Sequence, residues 1–301
     1  MSQDFSVAVI GLGAMGMGAA QSCLRAGLAT YGVDLNPVAL EKLKAEGAQV
    51  AQSAVSFAKD LDAVVLLVVN ANQVNAVLFG ENGLAAHLKP GTAVMVSSTI
   101  SAQDAQQISQ KLTELGLFML DAPVSGGAAK AAAGQMTVMA SGSKQAFDKL
   151  QPVLDAVAGK VYNIGEEIGL GATVKIVHQL LAGVHIAAGA EAMALAARAG
   201  IPLDLMYDVV TNAAGNSWMF ENRMKHVVDG DYTPLSMVDI FVKDLGLVTD
   251  TAKSLKFPLP LASTAFNMFT SASNAGYGKE DDSAVIKIFS GIELPSKKGD
   301  A

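Results

Sequence analysis

The chain predicts a doubly wound, mostly parallel β-sheet followed by an all-helical half. Three observations predict it. Short β-rich runs alternate with helical stretches through the first half of the 301 residues. Most of those runs are nearly continuous in apolar residues, as strands buried on both faces are. After about Gly165 the strand signals fade and an Ala-rich, proline-free stretch begins, covering 169–200.

The elements follow in order. FSVAVI (5–10) reads as a buried strand, and AMGMGAAQSCLRAG (14–27) as a helix closed by Gly27. ATYGVD (29–34) is a second strand. PVALEKLKAEG (37–47) has the proline start and glycine end of a helix. Further strands are DAVVLLVV (62–69), TAVMVSS (92–98), LFMLDA (117–122), MTVMAS (136–141) and KVYNI (160–164), with helices over 101–116 and 144–157 between them. The stretch 169–200 suits one helix of roughly 45 Å at about 1.5 Å per residue. Such a helix links two domains or packs against another subunit. Residues 201–290 read as several helices broken by Pro202, Gly230, Pro234, Pro258 and Pro260. The domains are placed at 1–165 and 166–301.

Composition narrows the function. With 51% hydrophobic and 16% charged residues the chain can bury a sizeable core. A net charge of −7 without a basic cluster argues against nucleic acid, while leaving room for a small anionic substrate. A single cysteine, Cys23, rules out a disulfide framework and a Cys-based metal site, and no metal is expected. The start lacks a signal-peptide pattern. The longest apolar strand-like run, AVVLLVV (63–69), is too short to span a bilayer. The expectation is a soluble cytoplasmic protein without a membrane partner.

The first strand runs into GLGAMG. Gly11, Gly13 and Gly16 match G-x-G-x-x-G between a strand and a helix. There the first glycine allows a tight turn, the second a close backbone approach to a pyrophosphate, and the third close helix–strand packing. The segment Gly11, Leu12, Gly13, Ala14, Met15 and Gly16 is therefore the expected cofactor loop. Asp34 ends the second strand, where a carboxylate accepts from the adenosine ribose hydroxyls. Leu35, Asn36 and Pro37 follow it, so no arginine awaits a 2′-phosphate, and NAD is favoured over NADP. Asp34 could also serve as a plain turn residue.

Two more segments close strands at the end where such sheets bind ligands: SST (97–99) and DAPVSGG (121–127). Ser125, Gly126 and Gly127 could offer a hydroxyl and close N–H groups to a carboxylate. Alone, the segment reads as readily as a loop. On the long helix, Lys175, His178 and Gln179 share one face of GATVKIVHQLL.

VAVIGLGAMG, DAPVSGG, GATVKIVHQ and FVKDLGL (241–247) stand in the order and spacing of the β-hydroxyacid dehydrogenase family, which the chain resembles over nearly its whole length. That family includes 3-hydroxyisobutyrate dehydrogenases, tartronate semialdehyde reductases and L-threonate dehydrogenases. The resemblance implies a Rossmann domain followed by an all-α domain, joined by one long helix. It implies Lys175, the lysine of the family's G-x-x-x-K-x-x-N-N motif, as the catalytic residue. It implies Ser125-Gly126-Gly127 as the substrate-carboxylate loop, Lys243 beside nicotinamide and substrate, and Thr99 on the nicotinamide side. Asp244 is placed to position Lys243. A homodimer or homotetramer is implied as well.

The chemistry agrees. Oxidising a secondary alcohol needs a hydride acceptor, which the cofactor supplies, and a proton acceptor, which a lysine can be if burial or a nearby cation lowers its pKa. In one respect the chain departs from the family. His178 and Gln179 stand where the motif has two asparagines. They could read further hydroxyls, His178 could tune or share the proton transfer, or the change could be neutral. Extra donors and acceptors suit a polyhydroxylated sugar acid. By resemblance L-threonate, oxidised at its 2-hydroxyl to 2-dehydro-L-erythronate, fits better than 3-hydroxyisobutyrate. The rival readings are a tartronate semialdehyde reductase, an imine reductase (which would normally lack the lysine) and a non-catalytic NAD-binding regulator.

Overall fold

A computed structural model describes residues 5–297. It divides into two compact units, one ending at Lys175 and the other beginning at Ile176.

The first unit is built on a nine-stranded sheet. β1 (Ser6–Ile10), α1 (Ala14–Arg25), β2 (Ala29–Val33), α2 (Pro37–Ala45) and the short β3 (Gln49–Ala51) form its first half. β4 (Ala63–Leu66), α3 (Ala71–Phe79), β5 (Ala93–Val96), α4 (Ala102–Glu114) and β6 (Phe118–Asp121) form the second. These strands pair in parallel in the order β3-β2-β1-β4-β5-β6, so the winding reverses between β1 and β4. β1 shows why its sequence is apolar from Val7 to Ile10. Val7 and Val9 belong to one core cluster and Ala8 and Ile10 to another, as alternate residues of a strand covered on both faces must.

Beyond β6 the sheet becomes mixed. β7 (Val124–Ser125), α5 (Gly127–Ala132), β8 (Met136–Ser141), α6 (Lys144–Val157) and β9 (Ala158–Gly165) complete it. β8 runs antiparallel to β6 and β7 and parallel to β9. Several helix starts carry polar caps. Asn36 accepts from Val38 N–H ahead of α2, and Ser101 from Asp104 N–H ahead of α4.

α7 (Leu170–Arg198) begins in the first unit and continues into the second. By length and composition it is apolar enough to cross a membrane, but half of its most apolar window is buried inside the fold. The second unit is helical, with α8 (Leu203–Thr211), α9 (Trp218–Asp229), α10 (Val238–Ser254) and α11 (Pro260–Ala272). The breakers do what they predicted. Pro202 precedes α8, Gly230 closes α9 in the left-handed region, and Pro260 opens α11. Ile186, Met193, Met224, Phe241, Leu245 and Phe269 are among its core residues.

Candidate active site

The glycine loop separates three roles. Gly11 has φ +92°, and a Cβ there would stand 2.8 Å from the Leu67 carbonyl oxygen. A Cβ on Gly16 would stand 1.7 Å from the Gly11 carbonyl oxygen, so only glycine lets α1 begin against the loop. A Cβ on Gly13 would meet nothing within 4 Å. That glycine precedes α1, which has neither a side-chain cap nor an acidic residue in its first turn. Gly13 and Ala14 are exposed, while Leu12 is buried and Met15 half-buried. The open N-terminus of a 12-residue helix, with no anion of its own, suits a pyrophosphate.

Asp34 meets this loop directly. Its Oδ2 accepts from Leu12 N–H at 2.6 Å and its Oδ1 from Asn36 N–H at 2.8 Å. Leu35 beside it is exposed. A cavity of about 550 Å³ opens here, at the ends of β1, β2 and β4, lined by Gly11, Gly13, Asp34, Val55, Val68 and Gln73 among others. It lies where the sheet reverses its winding, the position expected for a nucleotide. The residues fit NAD: apolar walls for a base, a carboxylate for ribose hydroxyls, and open amides for phosphate.

The other sequence-predicted residues of the first unit lie at the ends of later elements. Thr99, half-buried, follows β5. Ser125 ends β7, and Gly126 precedes α5 with φ +125°. Gly127 opens that helix with φ +73°. Lys175 is 6% exposed on α7.

In the second unit a polar network joins three of the named residues through a fourth. Gln179 is 8% exposed, and its Nε2 donates to Asp244 Oδ2. Asp244 Oδ1 lies 2.7 Å from Lys243 Nζ. On the other side, Gln179 Oε1 lies 3.0 Å from His178 Nδ1. An ionised carboxylate only accepts, so the Gln179 amide nitrogen faces Asp244 and its oxygen faces His178, which places the proton on Nδ1. His178 itself is exposed, so the expected single polar face divides into buried Lys175 and Gln179 and exposed His178.

Sequence reasoning missed several residues at these sites. Val55 and Gln73 line the cavity beside Asp34 from segments whose pattern gives no binding signal. Asp121 lay within a quoted motif, but its partners are 20 to 51 positions away, beyond any local pattern.

The comparisons bear on both units. Residues 6–165 match the NAD-binding domain of 6-phosphogluconate dehydrogenase, and residues 169–289 match the NAD-binding domain of NADP-dependent 3-hydroxyisobutyrate dehydrogenase. The chain is 83% identical to an L-threonate dehydrogenase of Haemophilus influenzae, over 98% of this chain and 99% of that one. It is 75% identical to an L-threonate dehydrogenase of Escherichia coli, over 98% of both. A crystal structure of a 3-hydroxyisobutyrate dehydrogenase from Salmonella typhimurium superposes with a TM-score of 0.93 at 74% identity, over 95% of this chain and 100% of that one.

Proposed function

The chain belongs to the NAD-dependent β-hydroxyacid dehydrogenase family, and on that premise we propose that it oxidises L-threonate at the 2-hydroxyl to 2-dehydro-L-erythronate. The full-length likeness to L-threonate dehydrogenases carries this reading of the substrate. NAD, when bound, supplies the acceptor for the hydride from C2.

The chain's own residues divide the remaining work. Gly11 to Gly16 hold the pyrophosphate on the α1 N-terminus and Asp34 holds the adenosine ribose. Thr99 lies on the nicotinamide side. Ser125, Gly126 and Gly127 hold the substrate carboxylate through hydroxyl and backbone N–H. Lys175 takes the hydroxyl proton at its Nζ during oxidation and returns it during reduction, steadying the alkoxide. Lys243, held by Asp244, lies beside the nicotinamide and the acid. His178, supported by Gln179, shapes the end of the site that takes the distal hydroxyls. The buried position of Lys175 supports this assignment, because proton transfer gains from a dry, fixed group.

Residues 1–165 form the NAD-binding domain, which also carries the carboxylate loop, and residues 166–301 form the helical domain for substrate and subunit assembly. The assembly is a homodimer or homotetramer in the cytoplasm, with a small acid as partner rather than nucleic acid or membrane. Exposed Val177, Leu181 and Leu195 along α7 support the assembly.

The test is NAD reduction across a panel of three- to five-carbon sugar acids and hydroxy acids. L-Threonate should give the highest kcat/KM. A higher value for 3-hydroxyisobutyrate, or faster reduction of tartronate semialdehyde by NADH, would reassign the substrate.

A further inference from the structure

We propose that Asp121 is a positioning residue for Lys175, the buried carboxylate on which the first turn of α7 is mounted. The proposal rests on reading Lys175 as the proton acceptor.

Asp121 ends β6 and is 1% exposed. Its Oδ2 gathers three donors: Gly169 N–H at 3.0 Å, Ala172 N–H at 2.9 Å and the Ser141 hydroxyl at 3.3 Å. Ser141, at the end of β8, accepts in turn from Gly171 N–H at 3.0 Å. The amides of a helix's first turn have no partners within the helix. Here those of residues 169, 171 and 172 are all taken by this one pair of side chains from the sheet.

The backbone is held as closely as the amides. A Cβ on Gly171 would stand 2.5 Å from the Asp121 carbonyl oxygen and 2.7 Å from that of Met139. The helix therefore sits directly on the strand ends, at a separation that only glycine permits. Lys175 lies four residues further on, one turn along the same face. A shift of this first turn shifts the lysine with it. Asp121 also opens the segment that leads to Ser125, Gly126 and Gly127, so the mount of the lysine and the carboxylate loop start from one residue.

The carboxylate's other oxygen, Oδ1, is buried with no hydrogen-bond partner among the described residues. An asparagine could therefore present its oxygen to the same amides and put its NH2 in the unpartnered place. An alanine could not hold them at all. This separates mounting from charge.

The experiment compares Asp121→Ala, Asp121→Asn and Ser141→Ala with the wild type. It measures kcat and KM for the acid the wild type oxidises best, Kd for NADH, Tm, and amide exchange over residues 169–175. A displacement of about 1 Å at a reacting group costs on the order of 100-fold in rate. Asp121→Ala should lose about 10- to 100-fold in kcat, exchange faster at 169–175, and keep Kd for NADH within about twofold. Asp121→Asn should recover most of kcat, and Ser141→Ala should fall between them. Should Asp121→Ala fail to fold, the Ser141→Ala and Asp121→Asn values decide. Wild-type kcat in Ser141→Ala, a lower Tm without loss of kcat in Asp121→Ala, or equal losses in kcat and NADH affinity would each overturn the proposal. Failure of the wild type on L-threonate would count against the substrate alone. A Lys175→Ala variant that keeps its activity would count against the reading of the lysine.

Discussion

Gln179 donates its side-chain amide to the carboxylate of Asp244, although 65 positions separate them in the chain. The same carboxylate holds Lys243 at 2.7 Å, and it is 2% exposed. Gln179 is thus tied at both ends, to Asp244 through nitrogen and to His178 through oxygen. Such groups act as a unit and should couple. Asp244→Ala and Gln179→Ala should each lower kcat/KM, while the double variant should fall no more than about threefold below the worse single one. Kinetics of the four proteins check this, and losses that multiply would mean the two residues act independently.

Cofactor choice should follow Asp34. Its two oxygens fix the loop amide of Leu12 and the turn amide of Asn36, so the carboxylate is held in place at the wall of the cavity proposed for the cofactor. A 2′-phosphate there meets a like charge, so kcat/KM should favour NAD over NADP. Asp34→Ala combined with Leu35→Arg should erode that preference, because Leu35 is exposed beside the cavity. An NADP preference in the wild type would refute the assignment.

Lys175→Ala should abolish most turnover and leave NAD binding nearly intact. Proton-transfer groups contribute roughly 100- to 10,000-fold, whereas the residues proposed to hold the nucleotide are the glycine loop and Asp34. Single-turnover rates together with an NADH titration separate a loss in the chemical step from a loss in nucleotide binding. A variant keeping more than about a tenth of wild-type kcat would show that another group takes the proton.

Much of this was legible in the sequence because it is local. The strand-to-helix glycine loop, Asp34 at a strand end and the helix over 144–157 are written in consecutive residues. β3 and the antiparallel β7 were not, since strands of three and two residues have too few positions to show a period. Nor was the separation of His178 from Gln179. Adjacent helical positions differ by about 100° around the axis, and only the packing decides which one is buried. Asp244 could be noted beside Lys243, but its bond to Gln179 depends on how α7 and α10 pack.

Asp282 should make stability depend on pH. Burial pushes its carboxyl up to about 8, against the pull of the Arg223 guanidinium 2.7 Å away. The unfolded carboxyl titrates near 3.8, so the native state binds this proton more tightly. Its contribution is therefore complete below that value and is lost as pH rises toward about 8. Across this window Tm should fall more steeply for the wild type than for Asp282→Asn. Parallel Tm profiles would show that the carboxyl does not take up a proton on folding.

Substrate choice should divide between the two residues that replace the family's asparagines. Gln179 is buried and spent on Asp244 and His178, so Gln179→Asn shortens a support and should depress kcat/KM alike for every acid the protein oxidises. His178 is exposed, with Nδ1 turned toward Gln179, and it is the residue proposed to meet the far end of a longer substrate. A site built to hydrogen-bond a hydroxyl loses most on the ligand that carries it. His178→Asn should therefore lower kcat/KM for L-threonate by about tenfold or more while barely affecting 3-hydroxyisobutyrate, which has no hydroxyl at that distance. Measuring both variants on both acids resolves the division. Equal losses from His178→Asn on the two substrates would make the histidine a support for Gln179 and leave the choice of acid to other residues.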